Sequence, residues 1–135
     1  MYSHILVPVD LAEDATYDTA LNAAKMLLSD GGKISLLHVV EPIPTYAESY
    51  LPADFNMTTV KGAKERLGAL AKEMGLSNTA VVVGSAGRTI VDWAEENDAD
   101  CIVITSHKPA FSDIFLGSTA TWVVKHCPMA LHVLR

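Results

Sequence analysis

The sequence predicts an α/β protein: one domain spanning residues 1–135, built on an open parallel five-stranded sheet with helices on both faces. Three observations lead there. Short apolar runs of strand length alternate along the chain with longer stretches whose apolar residues recur at helical spacing. The runs are apolar at consecutive positions rather than at every second one, the pattern of strands covered on both faces. Half of the 135 residues are hydrophobic, enough for one domain to bury a sizeable core.

The first run, Ile5-Leu6-Val7-Pro8-Val9, closes at Asp10 and is the first strand. From Ala12 onward the period changes. Ala20, Ala23, Ala24, Leu27 and Leu28 share a helical face, Glu13 and Asp14 suit the positive end of the helix dipole, and Gly31-Gly32 follows the end. This is a helix of about four turns. The second strand, Ile34 to Val40, stops at Glu41-Pro42. Between Pro42 and Asn56, three prolines and two tyrosines without a period predict an excursion over the surface.

Val60, Ala63, Leu67, Leu70, Ala71 and Met74 mark the second helix, with Lys64-Glu65-Arg66 outward and Gly75 at its C-terminus. Ala80 to Val83 is the third strand. It runs into Gly84-Ser85-Ala86-Gly87, a tight turn that matches neither Gly-x-Gly-x-x-Gly nor a P-loop, so dinucleotide or Walker-type binding is unsupported. Arg88 follows, either solvated or at a crevice rim. A third helix from Thr89 to Glu96 ends at Asn97-Asp98, and Cys101 to Thr105 is the fourth strand. Gly117-Ser118 opens a fourth helix that includes Thr121 to Lys125, and Met129 to Leu134 is the fifth strand, a sheet edge that needs cover.

Right-handed crossovers between these strands favour a Rossmann-like or flavodoxin-like sheet, with a crevice beyond the strand C-termini where the winding direction switches. If strands one and four flank that switch, Pro8-Val9-Asp10 and Thr105-Ser106-His107 face each other across one site.

Composition excludes several classes. The net charge is −6 and the ten lysines and arginines are scattered, which argues against a nucleic-acid groove. No apolar run approaches membrane-spanning length, and Met1-Tyr2-Ser3-His4 does not begin a signal segment, so a soluble, uncleaved, cytoplasmic protein without membrane association is expected. Cys101 and Cys127 lie in or beside core segments and are expected as reduced thiols. The five histidines, His4, His38, His107, His126 and His132, lack metal-ligand spacing, and His38 inside an apolar strand is expected to be a hydrogen-bonded core residue. No Gly-x-Ser-x-Gly or triad pattern occurs, and Glu95 and Glu96 fall on a solvated helix face.

An acidic chain can hold an anion only locally. The stretch Ser106 to Ser118 offers the means: Gly117 admits close backbone approach, Ser118 can cap the helix or meet an oxygen, Lys108 carries charge and His107 can donate a hydrogen bond. The same features describe a plain helix-capping loop. Asp10 has two compatible readings as well, a helix N-cap and a ligand contact.

Taken together, Val-Pro-Val-Asp at the first strand, Leu-Leu-His-Val-Val at the second, and Ser-His-Lys-Pro, Leu-Gly-Ser, Val-Val-Lys-His-Cys-Pro and Leu-His-Val-Leu toward the C-terminus resemble the universal stress protein family over essentially the whole chain. The resemblance implies a strand order of 3-2-1-4-5. The loop looks like that of the ATP-binding branch with a Gly-Ser-His-Arg-Pro type sequence. Thr105 stands where the family's first glycine belongs and Lys108 at the second, with eight residues, Pro109 to Leu116, before Gly117-Ser118. By resemblance, Pro8, Val9 and Asp10 line the adenosine end and Val39 packs on the base. Ile104 and Thr105 border the ribose, and His107, Lys108, Gly117, Ser118 and Thr119 surround the phosphates. The added Cβ of Thr105 predicts a narrower pocket or a conflict with a positive φ.

The resemblance further implies ATP or a related adenine nucleotide, Mg²⁺ accompanying its phosphates, a role as a stress-response regulator, at most slow ATP hydrolysis, and a homodimer formed through Met129 to Leu134. A dimeric scaffold of the same fold that binds no nucleotide is the alternative. A third reading, an adenylating hydrolase or transferase, lacks its Ser-Gly-Gly-x-Asp-Ser and His-x-Gly-His signatures.

Overall fold

The computed structural model describes residues 1–11, 17–106 and 117–135, without the Asn56 side chain. Five strands, β1 (Tyr2–Pro8), β2 (Leu28–Val40), β3 (Asn78–Val83), β4 (Cys101–Thr105) and β5 (Ala130–Leu134), form one sheet in the order β3-β2-β1-β4-β5. Every pairing in it is parallel. Four α-helices connect them: α1 (Asp18–Leu27), α2 (Phe55–Glu73), α3 (Ala86–Glu96) and α4 (Ser118–His126).

The consecutive apolar runs are buried from both sides, as their pattern requires. Ile5 and Val7 of β1 face one core with Leu21 and Ala24 of α1 and Leu67 of α2. Leu6, between them, faces the other with Ile90 and Ala94 of α3 and Val123 of α4. Covering a Leu or Ile side chain completely contributes about 1.5–3 kcal/mol, so the two central strands carry much of the stabilisation.

Several boundaries differ from the sequence reading. The described part of the first helix begins at Asp18, and its start at Ala12 falls outside the described residues. The glycine pair at 31 and 32 lies within β2 rather than ahead of it. Tyr2 faces Leu28 and His4 faces Lys33, so β2 bulges against β1, with Gly31 at φ 79°. Gly32 has no room for a side chain: a Cβ there would stand 2.7 Å from Leu28 Cδ1 and 2.9 Å from the Ser3 carbonyl oxygen. The excursion after Pro42 contains a 3₁₀ turn, Thr45–Tyr50, and α3 starts at Ala86, so the glycine-containing turn shrinks to Gly84-Ser85.

Helices α2 and α3 end in the same hydrogen-bond pattern. Leu76 N–H donates to the Ala71 carbonyl around Gly75 (φ 74°), and Ala99 N–H to the Ala94 carbonyl around Asp98 (φ 56°). At the N-terminal edge of the sheet, the Asp100 carboxylate accepts from the N–H groups of Ser3 and His4. Burial raises the Asp100 pKa, but those backbone donors outweigh it and leave the carboxyl below its ordinary value. Cys101 and Cys127 are free thiols. No helix among the described residues is long and apolar enough to cross a membrane.

Candidate functional site

Strand order decides where the site lies. β1 has β2 on one side and β4 on the other, and the connections leaving β1 and β4 diverge from this point. The C-terminal ends of the three strands border a cavity of about 320 Å³. Pro8, Val9 and Asp10 line it from β1, Val39 from β2, and Ile104 and Thr105 from β4, while Thr119 enters from the first turn of α4. Seven of the eleven residues singled out in the sequence therefore meet in one cavity.

The wall after β1 is held by successive backbone carbonyls. His38 Nδ1 donates to the Val9 oxygen at 2.8 Å, the Tyr17 hydroxyl to the Asp10 oxygen at 2.6 Å, and the Arg66 guanidinium to the Leu11 oxygen. Val9 N–H, in turn, donates to the Leu37 carbonyl at 2.8 Å, which carries the β1–β2 pairing one residue beyond the strand. His38 has the hydrogen bond expected of it, but it is half-buried and lines the cavity rather than sitting in the core. Burial, and then the nearby Asp10 charge, push the Tyr17 phenol above its ordinary pKa, so it stays a donor at neutral pH. The cap reading of Asp10 concerns a helix start at Ala12 and lies outside the described residues; the described helix begins at Asp18.

Thr105 keeps the extended backbone of β4, paired with Leu134, and Asp98 is the sole non-glycine with positive φ among the described residues. The expected backbone conflict at Thr105 is thus absent. What remains of it is a β-branched side chain on the cavity wall.

Gly117 is the N-cap of α4, with φ −63° and ψ 160°, and its N–H donates to Ser106 Oγ at 3.3 Å. Any residue can adopt that backbone. A Cβ on Gly117 would meet no described atom within 4 Å, so neither local conformation nor packing against the described residues demands glycine there. Ser118 lines a neighbouring cavity of about 340 Å³ between α3 and α4, and Glu41, Ala86 and Thr119 line both cavities. His107 and Lys108 lie outside the described residues.

Leu37, Glu41, Ala86 and Ile90 complete the first cavity and were not singled out in the sequence. Glu41 had a usable signal: it ends the second strand, and strand C-termini face the crevice in such a sheet. Ala86 and Ile90 had none, because they arrive with a crossover helix whose position depends on strand order.

The model of the universal stress protein family matches residues 1–135. The chain belongs to the universal stress protein family. Universal stress protein G of Shigella flexneri is 32% identical over 142 residues, covering 100% of both chains. Among solved structures, hypothetical protein MJ0577 superposes with a TM-score of 0.81 at 27% identity, over 99% of this chain and 96% of the other. The universal stress protein from Archaeoglobus fulgidus, in complex with dAMP, has the same fold, with a TM-score of 0.67 at 22% identity over 99% of this chain and 98% of the other. The sheet order 3-2-1-4-5 is the one that membership in this family implies.

Proposed function

We propose that this universal stress protein binds ATP or a related adenine nucleotide in the crevice at the C-terminal ends of β1 and β4, and acts as a stress-response regulator. One observation carries the reading: Pro8, Val9, Asp10, Val39, Ile104, Thr105 and Thr119, distant in sequence, line one cavity. Its apolar wall of Val39 and Ile104 suits the face of a base. Asp10 supplies an acceptor for amino or hydroxyl groups. Gly117 adds support, since its missing side chain leaves open space at a helix start that a phosphate can approach. The dAMP complex of the Archaeoglobus fulgidus protein is in keeping with an adenine ligand.

His107 and Lys108 complete the phosphate side in this proposal, with Mg²⁺ bound mainly by the phosphates themselves. The proposal includes no efficient turnover. Cytoplasmic location and a homodimer through Met129 to Leu134 belong to the same proposal. Among the described residues β5 pairs only with β4, so its other side is an edge that a second copy can extend.

The test is to denature the purified protein, look for released adenine nucleotide by absorbance and mass spectrometry, and titrate ATP with Mg²⁺. Released or titrated adenine nucleotide is the expected result. Absence of both would overturn the reading in favour of a dimeric scaffold.

A further inference from the structure

The cavity between α3 and α4 continues the crevice through Glu41, Ala86 and Thr119, yet the placement of base and ribose leaves it unused. Its charges are uneven. Among the described residues lining the two cavities, Arg88 is the single lysine or arginine, set against the carboxylates of Asp10 and Glu41. No hydrogen bond or ion pair to a described residue engages its guanidinium. It rests instead on the Trp122 ring, 5.6 Å from the centroid.

That pair is built by a glycine. A Cβ at Gly87 would stand 2.6 Å from Cβ, Cγ and Cδ1 of Trp122, so only glycine lets α4 seat its indole against the first turn of α3, where Arg88 follows. The indole also stacks with His126, at 3.8 Å between ring centroids with planes 20° apart. A guanidinium held this way loses less side-chain freedom when it binds an oxyanion, and its planar fork of donors matches phosphate.

An adenine nucleotide seated on Val39 brings its phosphates past Thr119. Asp10, which lines only the first cavity, repels them on the adenosine side; Glu41 borders both cavities, and Arg88, which lines only the second, attracts them there. We propose that Arg88, held on Trp122, binds the distal phosphates, so that the α3–α4 cavity selects among adenine nucleotides by phosphate number. This inference rests on the nucleotide reading above.

Titrating AMP, ADP and ATP into the full chain and into Arg88→Gln tests it. The unaltered protein is expected to bind more tightly as phosphates are added. Arg88→Gln should lose about tenfold in ATP affinity, the size of one charge-assisted hydrogen bond, and keep its AMP affinity. Arg88 is exposed, so the thermal unfolding midpoint should stay in place. Parallel weakening of AMP and ATP, no weakening of either, or equal AMP and ATP affinity in the unaltered protein would overturn the subsite while leaving the nucleotide reading intact. Failure of the unaltered protein to bind any adenine nucleotide would overturn the nucleotide reading, and the subsite with it.

Discussion

The Tyr17 hydroxyl donates a 2.6 Å hydrogen bond to the backbone carbonyl of Asp10. Together with the bonds from His38 to Val9 and from Arg66 to Leu11, it ties the chain after β1 to β2, to α2 and to the start of α1. Tyr17→Phe keeps the ring and removes this bond alone. It is expected to cost about 0.5–1.5 kcal/mol in urea unfolding and to weaken ATP binding several-fold through a looser Asp10. Unchanged affinity would show that the Asp10 segment holds its position without Tyr17.

Two glycines should respond in opposite ways. Gly117→Val places a side chain in space that no described atom occupies, so it is expected to cost at most about 1 kcal/mol, through its poorer N-cap character, and to abolish nucleotide binding. Gly32→Ala drives a methyl into Leu28 and the Ser3 carbonyl and should destabilise by about 1–3 kcal/mol, with nucleotide affinity intact in the folded fraction. Urea unfolding and ATP titration of both variants separate the two effects.

His4 gives stability a pH dependence. It is 5% exposed, and its Nδ1–H donates to the Asn97 carbonyl while Nε2 accepts from the Ser35 hydroxyl at 2.7 Å. Burial pushes its pKa below the ordinary 6.5. The unfolded chain therefore takes up the proton first as pH falls, and stability present above pH 6.5 is lost on the way down to the folded pKa. Urea unfolding at pH 7.5 and at steps down to 5 should show a decline that is shallower in His4→Gln. An equal slope in that variant would assign the decline to other groups.

Asp98 holds a left-handed conformation at the end of α3, φ 56°, where Gly75 serves the same turn after α2. Asp98→Gly relieves a cost that L residues carry in this region and is expected to stabilise by about 0.5–1 kcal/mol, less the backbone entropy glycine adds to the unfolded chain. The unfolding midpoint in urea should rise. A fall would mean that the Asp98 side chain contributes more than its backbone costs.

The Cys101 thiol is 1% exposed, and burial, with the charge of Asp100 behind it, pushes its pKa up to about 11. Thiolate is scarce at neutral pH, so iodoacetamide should leave Cys101 unmodified in the native protein and label it in urea. Fast native labelling at this position, read by peptide mass spectrometry, would contradict the packing around β4.

How legible the molecule is from sequence differs by element. The centre of β1, Ile5 to Val7, and β4 announce themselves because a strand covered on both faces is apolar at consecutive positions, whereas Tyr2 to His4 extend β1 ahead of the apolar run. The N-terminal part of β2 does not, since Leu28 to Lys33 pairs through a bulge whose glycines look like a helix terminator. The first turn of α3 looks like a loop in the sequence for a similar reason. Gly87 lowers helix propensity, and only the indole of Trp122, from another helix, explains why it is there.

The site divides the same way. Residues at strand ends, Pro8 to Asp10 and Ile104-Thr105, could be named in advance because the crevice of a doubly wound sheet lies beyond those ends. Gly117 and Ser118 could be named from helix-start chemistry. Glu41 had the same strand-end signal and Arg88 a place at the crevice rim, but Ala86 and Ile90 arrive on a crossover helix, which no local pattern reports.

The sequence by itself determined the alternation of strands and helices, the two-sided burial of the central strands, the acidic balance that requires local anion recognition, and the resemblance that named the family. The structure bears out the order implied by that resemblance, with β1 between β2 and β4, and it alone decided that one face of α3 closes the crevice and that Gly87 brings Arg88 onto Trp122. Periodicity records which face of an element is buried. Which neighbour it is buried against is set by contacts between residues remote in sequence, where sheet order and helix packing bring the cavity walls together.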